Sequence, residues 1–142
     1  RRCLVLAHGF YEWQTRGKMK IPYYIRNKND LPFAFAGLSE NWVNKDTGEI
    51  MNTVSILTKK ADPFMEKIHN TKKRMPVILS ENLENHWIES GMDKNELKQI
   101  VKDSNPSLTA HTIDKKLITG DFDPENPDIT RPYSYEDQKG LF

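Results

Sequence analysis

Apolar residues in the first half of the chain fall into short runs broken by turn formers, the spacing of strands rather than of helices. Leu4-Val5-Leu6 is one run, Pro22-Tyr23-Tyr24-Ile25 a second, and Phe33-Ala34-Phe35-Ala36-Gly37-Leu38, directly behind Pro32, a third. The polar stretch Asn44-Lys45-Asp46-Thr47-Gly48 reads as a turn. The β-branched Thr53-Val54-Ser55-Ile56-Leu57-Thr58 after it reads as a returning strand, which makes a hairpin or meander.

The second half changes period. Asp62 ahead of Pro63 has the form of an N-cap followed by proline at the first helical position, and predicts a short helix through about Ile68. Met75-Pro76-Val77-Ile78-Leu79 returns to strand. A second helix is predicted from Ser80 to near Gly91, with Leu83 and Trp87 on one face. A third starts at Asp93, where Asp93 and Glu96 form a capping-box pattern ahead of the apolar stripe Leu97, Ile100 and Val101. Ser107 to Ile113 is a candidate last strand, and the proline-rich segment beyond Gly120 is expected to be loop or tail. Strands first and helices after, with no regular alternation and no glycine-rich phosphate loop, predict an α+β domain. Its mainly antiparallel β-sheet is expected to curl into a barrel-like core with short helices packed outside.

A length of 142 residues supports one domain or a large piece of one. Its 37% hydrophobic and 29% charged residues are the mixture of a globular chain, which excludes a disordered one. No apolar run approaches the roughly 20 residues of a membrane-spanning helix, and no signal-peptide pattern opens the sequence. A monomer in the cytoplasm, or associated with the nucleoid, is therefore expected, with no membrane partner. The chain opens on Arg1 rather than Met, so a processed or truncated front is expected. A single cysteine, Cys3, excludes an internal disulfide framework, and the four histidines lack the paired spacing of metal ligands, so neither metal nor cofactor is expected. The net charge of +1 hides an uneven distribution. Residues 1–30 carry seven Lys or Arg against two acids, residues 58–76 six against two, and residues 117–142 six acids against two bases. Such a chain can present a local basic surface to a polyanion, although each basic residue alone could merely solvate a face.

Two segments could carry chemistry. In Ala7-His8-Gly9-Phe10-Tyr11-Glu12-Trp13 a carboxylate sits among large aromatics just behind a strand and a glycine. In extended backbone Tyr11 and Trp13 share one face while Phe10 and Glu12 share the other, so Glu12 has apolar neighbours on either side. From this segment alone, a solvent-facing glutamate at a sheet edge is the stronger reading. In the second, His69 ends the predicted short helix directly before Lys72, Lys73 and Arg74. Histidine is suited to proton transfer at physiological pH, but one at a helix C-terminus is also favoured by the dipole alone. The three cations could contact phosphates or, for Lys72 and Lys73 singly, form a solvated turn.

Taken in order, Cys3-Leu4-Val5, Gly9-Phe10-Tyr11-Glu12-Trp13, Pro22-Tyr23-Tyr24-Ile25, Phe35-Ala36-Gly37-Leu38, Ile56-Leu57-Thr58 and Ile68-His69 with Arg74-Met75-Pro76-Val77-Ile78-Leu79 resemble the SOS-response-associated peptidase family. The likeness covers most of residues 2–80 and continues weakly to about residue 114. It implies that residues 1–142 form the C-terminal part of a single β-rich domain that binds single-stranded DNA containing ring-opened abasic sites. The family's catalytic glutamate falls on Glu12 and its catalytic histidine on His69, while its DNA contacts fall on Thr58 and Arg74, with Lys72 and Lys73 beside them. One departure lies between histidine and arginine, where the family usually has one residue and Asn70 to Lys73 intervene here. The other is the nucleophile, a cysteine at the mature N-terminus reached by autoproteolytic, peptidase-type maturation. That cysteine, with the family's catalytic asparagine and aromatic wedge, lies outside residues 1–142. Cys3 is no substitute, because its amine is tied up in the peptide bond to Arg2.

The implied mechanism is attack of an N-terminal amine on the sugar aldehyde and closure by the thiol to a thiazolidine crosslink. Glu12 would shuttle protons in the forward direction and His69 would assist ring opening on reversal. This fragment alone is then expected to be inactive. Two other readings stay open: a non-catalytic single-strand-binding module with Tyr11, Trp13 and Trp42 as stacking platforms, and a thiol peptidase acting on proteins.

Overall fold

The computed structural model describes residues 1–117, 119, 123 and 125–135. Nine strands and three α-helices follow one another as β1 (Arg2–Ala7), β2 (Gly9–Arg16), β3 (Met19–Asn27), β4 (Phe33–Val43), β5 (Ile50–Ile56), β6 (Thr58–Lys60), α1 (Pro63–Ile68), β7 (Arg74–Pro76), β8 (Ile78–Leu79), α2 (Glu81–Ile88), α3 (Lys94–Asp103) and β9 (Leu108–Thr112), among the described residues. Every strand pairing is antiparallel. The strands form a sheet ordered β1-β4-β5 with β8 also on β4, a sheet ordered β2-β3-β9, and the pair β6-β7. The α+β class is therefore as expected, while no closed barrel is found among the described residues. No helix among them is long and apolar enough to cross a membrane.

Strand alternation sorts β4 between two cores. Phe33 and Phe35 enter one with Ile25, Met65, Ile68 and Ile78, and Ala36 enters the other with Val77, Leu79, Trp87 and Ile100. The first half of β4 is thus buried on both faces, which explains why it reads as an unbroken apolar run. Beyond Gly37 the β4-β5 hairpin leaves these cores, and Trp42, Val43, Ile50 and Val54 are exposed on it.

Helix α1 follows the rules legible in its sequence. Asp62 caps it, its Oδ1 accepting the Met65 N–H at 2.7 Å, and Pro63 occupies the first turn. Met65 and Ile68 anchor it in the first core, and truncating Met65 to alanine would cost about 2–5 kcal/mol and release the helix from the sheets. The Asp93–Glu96 capping box of α3 is present on both sides, and Lys59 Nζ caps the other end of that helix by donating to the carbonyls of Val101 (3.1 Å) and Ser104.

Elsewhere the structure corrects the reading. Strand β2 was read only as extended backbone at a sheet edge, without bounds, because its aromatics fall on both faces and leave no clean alternation. Strand β3 begins at Met19, ahead of Pro22. The Ile113 N–H donates to the Pro22 carbonyl at 3.1 Å, so the missing proline N–H faces away from β2 and leaves that ladder intact. Helix α2 stops at Ile88, with Gly91 turning at φ 88°. The strand expected over residues 75–79 is split at Val77. There the Ala36 N–H donates to Val77 O, Val77 N–H to Leu57 O and Leu57 N–H to Ala36 O, each at 2.9 Å, a ring that ties the β6-β7 pair to the main sheet. Of the expected tail, a 3-10 helix spans Pro127–Thr130 and Pro132 bridges to Ile113, while residues 136–142 lie outside the described residues.

Candidate active site

Glu12 is presented by the edge of a sheet. Phe10, on the same face of β2, packs edge-on against Phe33 and Phe35 at 6.3 and 5.7 Å, and Glu12 follows where that core ends. Tyr11 takes the opposite face beside Tyr24, with ring centroids 5.5 Å apart. Gly9 opens the strand because the Tyr24 ring crosses its backbone. A Cβ there would lie 2.5 Å from the ring, so the Tyr24 side chain would have to move aside. Among the described residues β2 pairs only with β3, so alternate N–H groups point off its other edge. Glu12 Oε1 takes one of these, the Trp13 N–H, at 3.0 Å, which orients the carboxylate.

His69 is the C-cap of α1, its N–H bonded to Met65 O at 2.8 Å. Its Nδ1 lies 2.7 Å from Arg74 O. A carbonyl only accepts, so this contact assigns the ring proton to Nδ1 and leaves the lone pair of the neutral imidazole on Nε2. The Arg74 N–H also approaches Nδ1, at 3.4 Å, but a protonated Nδ1 cannot accept it, and the shorter contact decides the tautomer. Glu12 Oε2 lies 3.9 Å from the same nitrogen, with the side chains 23% and 20% exposed. The carboxylate and the imidazole are thus neighbours without a direct hydrogen bond, each fixed by a main-chain partner and each still reached by solvent.

Both line a cavity of about 220 Å³ with Thr58, Lys72, Arg74, Met75 and Pro76. The structure thus brings together five of the six residues singled out in the sequence. Arg74 donates to Thr58 Oγ1, and two cations against one carboxylate suit an anionic ligand. Lys73 is the exception. Its ammonium turns away to Glu66 at 2.7 Å, and that hydrogen bond and charge hold the Glu66 carboxyl below the usual range. Four intervening residues therefore do not displace Arg74, because Asn70–Lys73 form a turn closed by Lys73 N–H to His69 O at 3.0 Å, with Lys73 at φ 52°. A larger cavity of about 570 Å³ is lined instead by Asn27, Lys28, Glu81, Glu84 and Asn105 among others. It holds no histidine or thiol, and its carboxylates oppose a phosphate chain. Trp42 lies on the β4-β5 hairpin, a different sheet from Tyr11 and Trp13.

The family model described as SOS response associated peptidase (SRAP) matches residues 1–119. The chain belongs to the SOS response associated peptidase family. Among its SRAP relatives, abasic site processing protein YoqW of Bacillus subtilis is 44% identical over 89 residues, 62% of this chain and 38% of that protein. Abasic site processing protein HMCES of Xenopus tropicalis is 31% identical over 133 residues, 80% of this chain and 38% of that protein. A crystal structure of a Bacteroides thetaiotaomicron protein superposes with a TM-score of 0.84 at 34% identity, covering 94% of this chain and 57% of that one. The chain thus spans less than two thirds of the length of each.

Asn70, directly after His69, was not singled out in the sequence. Its carboxamide reaches the edge of β2, where Thr15 N–H donates to Oδ1 at 3.0 Å and Nδ2 donates to Thr15 O at 2.8 Å. The only signal in the sequence is the insertion itself.

Proposed function

We propose that the cavity beside Glu12 and His69 receives the ring-opened sugar of an abasic site in single-stranded DNA, and that the chain acts in DNA-damage processing. The observation that carries this is the 3.9 Å approach of Glu12 to His69 in a cavity shared with Thr58, Lys72 and Arg74. The names of the relatives, abasic site processing proteins, agree with it. On this reading residues 1–142 are the C-terminal part of a single domain, active in the cytoplasm on nucleoid DNA.

Arg74 and Lys72 hold phosphates flanking the sugar, and the aldehyde lies at the Glu12 carboxylate. An α-amine adds to it to give a carbinolamine. Glu12 takes a proton from the nitrogen as the amine adds and returns it to the hydroxyl, which leaves as water, and the thiol of the same residue adds across the resulting C=N bond, its proton passing to nitrogen, to close a thiazolidine. Amine and thiol must come from a cysteine at a free N-terminus. The one cysteine here, Cys3, sits in β1 with its nitrogen in a peptide bond, paired against Gly37. An abasic nucleotide has no base to unstack, so it bends into a pocket at lower cost than an intact one.

The test uses two polypeptides, residues 1–142 alone and the same residues behind an N-terminal cysteine segment, each mixed with single-stranded DNA bearing one abasic site. The second is expected to give an adduct that survives denaturing electrophoresis and the first none. An adduct from the first that maps to Cys3, or none from either, sinks the proposal.

A further inference from the structure

We propose that Asn70 is a positioning residue for the Glu12–His69 pair, its carboxamide standing in for a residue of a neighbouring strand at the free edge of β2. This rests on the proton-transfer reading of that pair. An antiparallel neighbour would satisfy Thr15 by accepting its N–H and donating to its carbonyl. A planar carboxamide offers the same acceptor and donor side by side, and Asn70 makes both bonds, at 3.0 and 2.8 Å. Gln14 Nε2 adds a third tie by donating to Lys67 O at 2.6 Å. These bonds join β2 to the end of α1, close in sequence to Glu12 on one side and adjacent to His69 on the other.

Without them the two catalytic side chains sit on elements joined mainly through the core behind them. Among the described residues no strand pairs with that edge of β2, and Asn70 N–H is itself tied back to Ile68 O at 2.9 Å, so the turn presents its carboxamide from a fixed base. The inserted turn therefore acts as a clamp that sets the separation of carboxylate and imidazole. Asparagine is required because aspartate would keep the bond from Thr15 N–H but set a charged oxygen against Thr15 O.

Two variants test this, Asn70→Ala and the isosteric Asn70→Asp, which keeps the turn. In a polypeptide with the N-terminal cysteine segment, both are expected to slow adduct formation by about 10- to 100-fold, the size of a misplacement near 1 Å. Combined with Glu12→Gln, neither should slow it further, since the residue being positioned is already disabled. A second readout needs no abasic chemistry. In residues 1–142, Glu12→Gln should move the NMR resonances of the His69 ring, and Asn70→Ala should abolish that response. Wild-type rates in both Asn70 variants, or a His69 ring that responds to Glu12→Gln equally with and without Asn70, would overturn the clamp. If no adduct forms with any protein, the cavity's proposed function fails while the NMR comparison still decides the role of Asn70.

Discussion

Glu12→Gln separates a proton carrier from a structural carboxylate. The amide keeps the size of the side chain, and its oxygen can still accept the Trp13 N–H that Glu12 Oε1 meets at 3.0 Å. Its nitrogen then faces His69 Nδ1, 3.9 Å from the carboxylate in the native protein. That nitrogen already donates to Arg74 O, so one donor is set against another. An unmatched contact of this kind costs about 1 kcal/mol, small beside the roughly 5–15 kcal/mol that holds a domain folded. The chemistry loses more. A general acid or base contributes about 10²- to 10⁴-fold, which at about 1.36 kcal/mol per tenfold is about 2.7 to 5.4 kcal/mol of barrier. In a polypeptide that carries the N-terminal cysteine segment, single-turnover adduct formation, read on denaturing gels with a thermal melt alongside, should therefore show a rate loss far larger than the stability loss. DNA affinity should hold or rise slightly, because the lost charge repels phosphate. His69→Ala should instead leave an adduct that is released more slowly when competing abasic DNA is added. A Glu12→Gln protein that melts normally and forms adduct at the native rate would refute the reasoning and return Glu12 to a surface carboxylate.

Arg74→Ala should weaken single-stranded DNA binding and flatten its dependence on salt by about 0.7 in log-log slope, one phosphate contact, whereas Lys73→Ala should leave the slope unchanged because its ammonium is engaged with Glu66 at 2.7 Å. Equal slopes for both variants in a fluorescence titration would contradict the division between them. Burial, more than neighbouring charge, raises the Tyr11 and Tyr24 phenols above their ordinary value of 10.0. The folded protein then holds these protons more tightly than the unfolded one, so their contribution is complete below the unfolded value and is lost as pH rises through the folded one. Tyr24→Phe should move the midpoint of alkaline unfolding to higher pH, and an unmoved midpoint would count against that linkage.

The sequence was most informative where a residue's partner lies close along the chain. The Asp62 cap, the Asp93–Glu96 box and the helices they open depend on neighbours within one turn. Residue type and position marked Glu12 and His69 as candidates, but only the family motif set them above a surface carboxylate and a helix-terminal histidine, because what brings them together is the crossing of β2 with α1. Lys72 and Lys73 look alike in the sequence, yet the positive φ of Lys73 turns it to Glu66 while Lys72 lines the cavity. Asn70 was illegible for the same reason: its partner, Thr15, lies on a strand edge that no local pattern announces.

The ring of main-chain bonds among Ala36, Leu57 and Val77 bears on how the cavity behaves over time. Each of the three residues gives one bond and takes one, so no segment can leave without stranding a donor on one neighbour and an acceptor on the other. Leu57 adjoins Thr58, and Val77 follows Arg74, Met75 and Pro76, so the cavity wall opens only together with the centre of β4. In hydrogen exchange these three amides should trade protons for deuterons as one slow group, at the pace of the largest openings of the protein. On the proposed function, the wall beside the sugar is thus tied to the centre of the main sheet, and adjustment to the bound strand falls to the DNA.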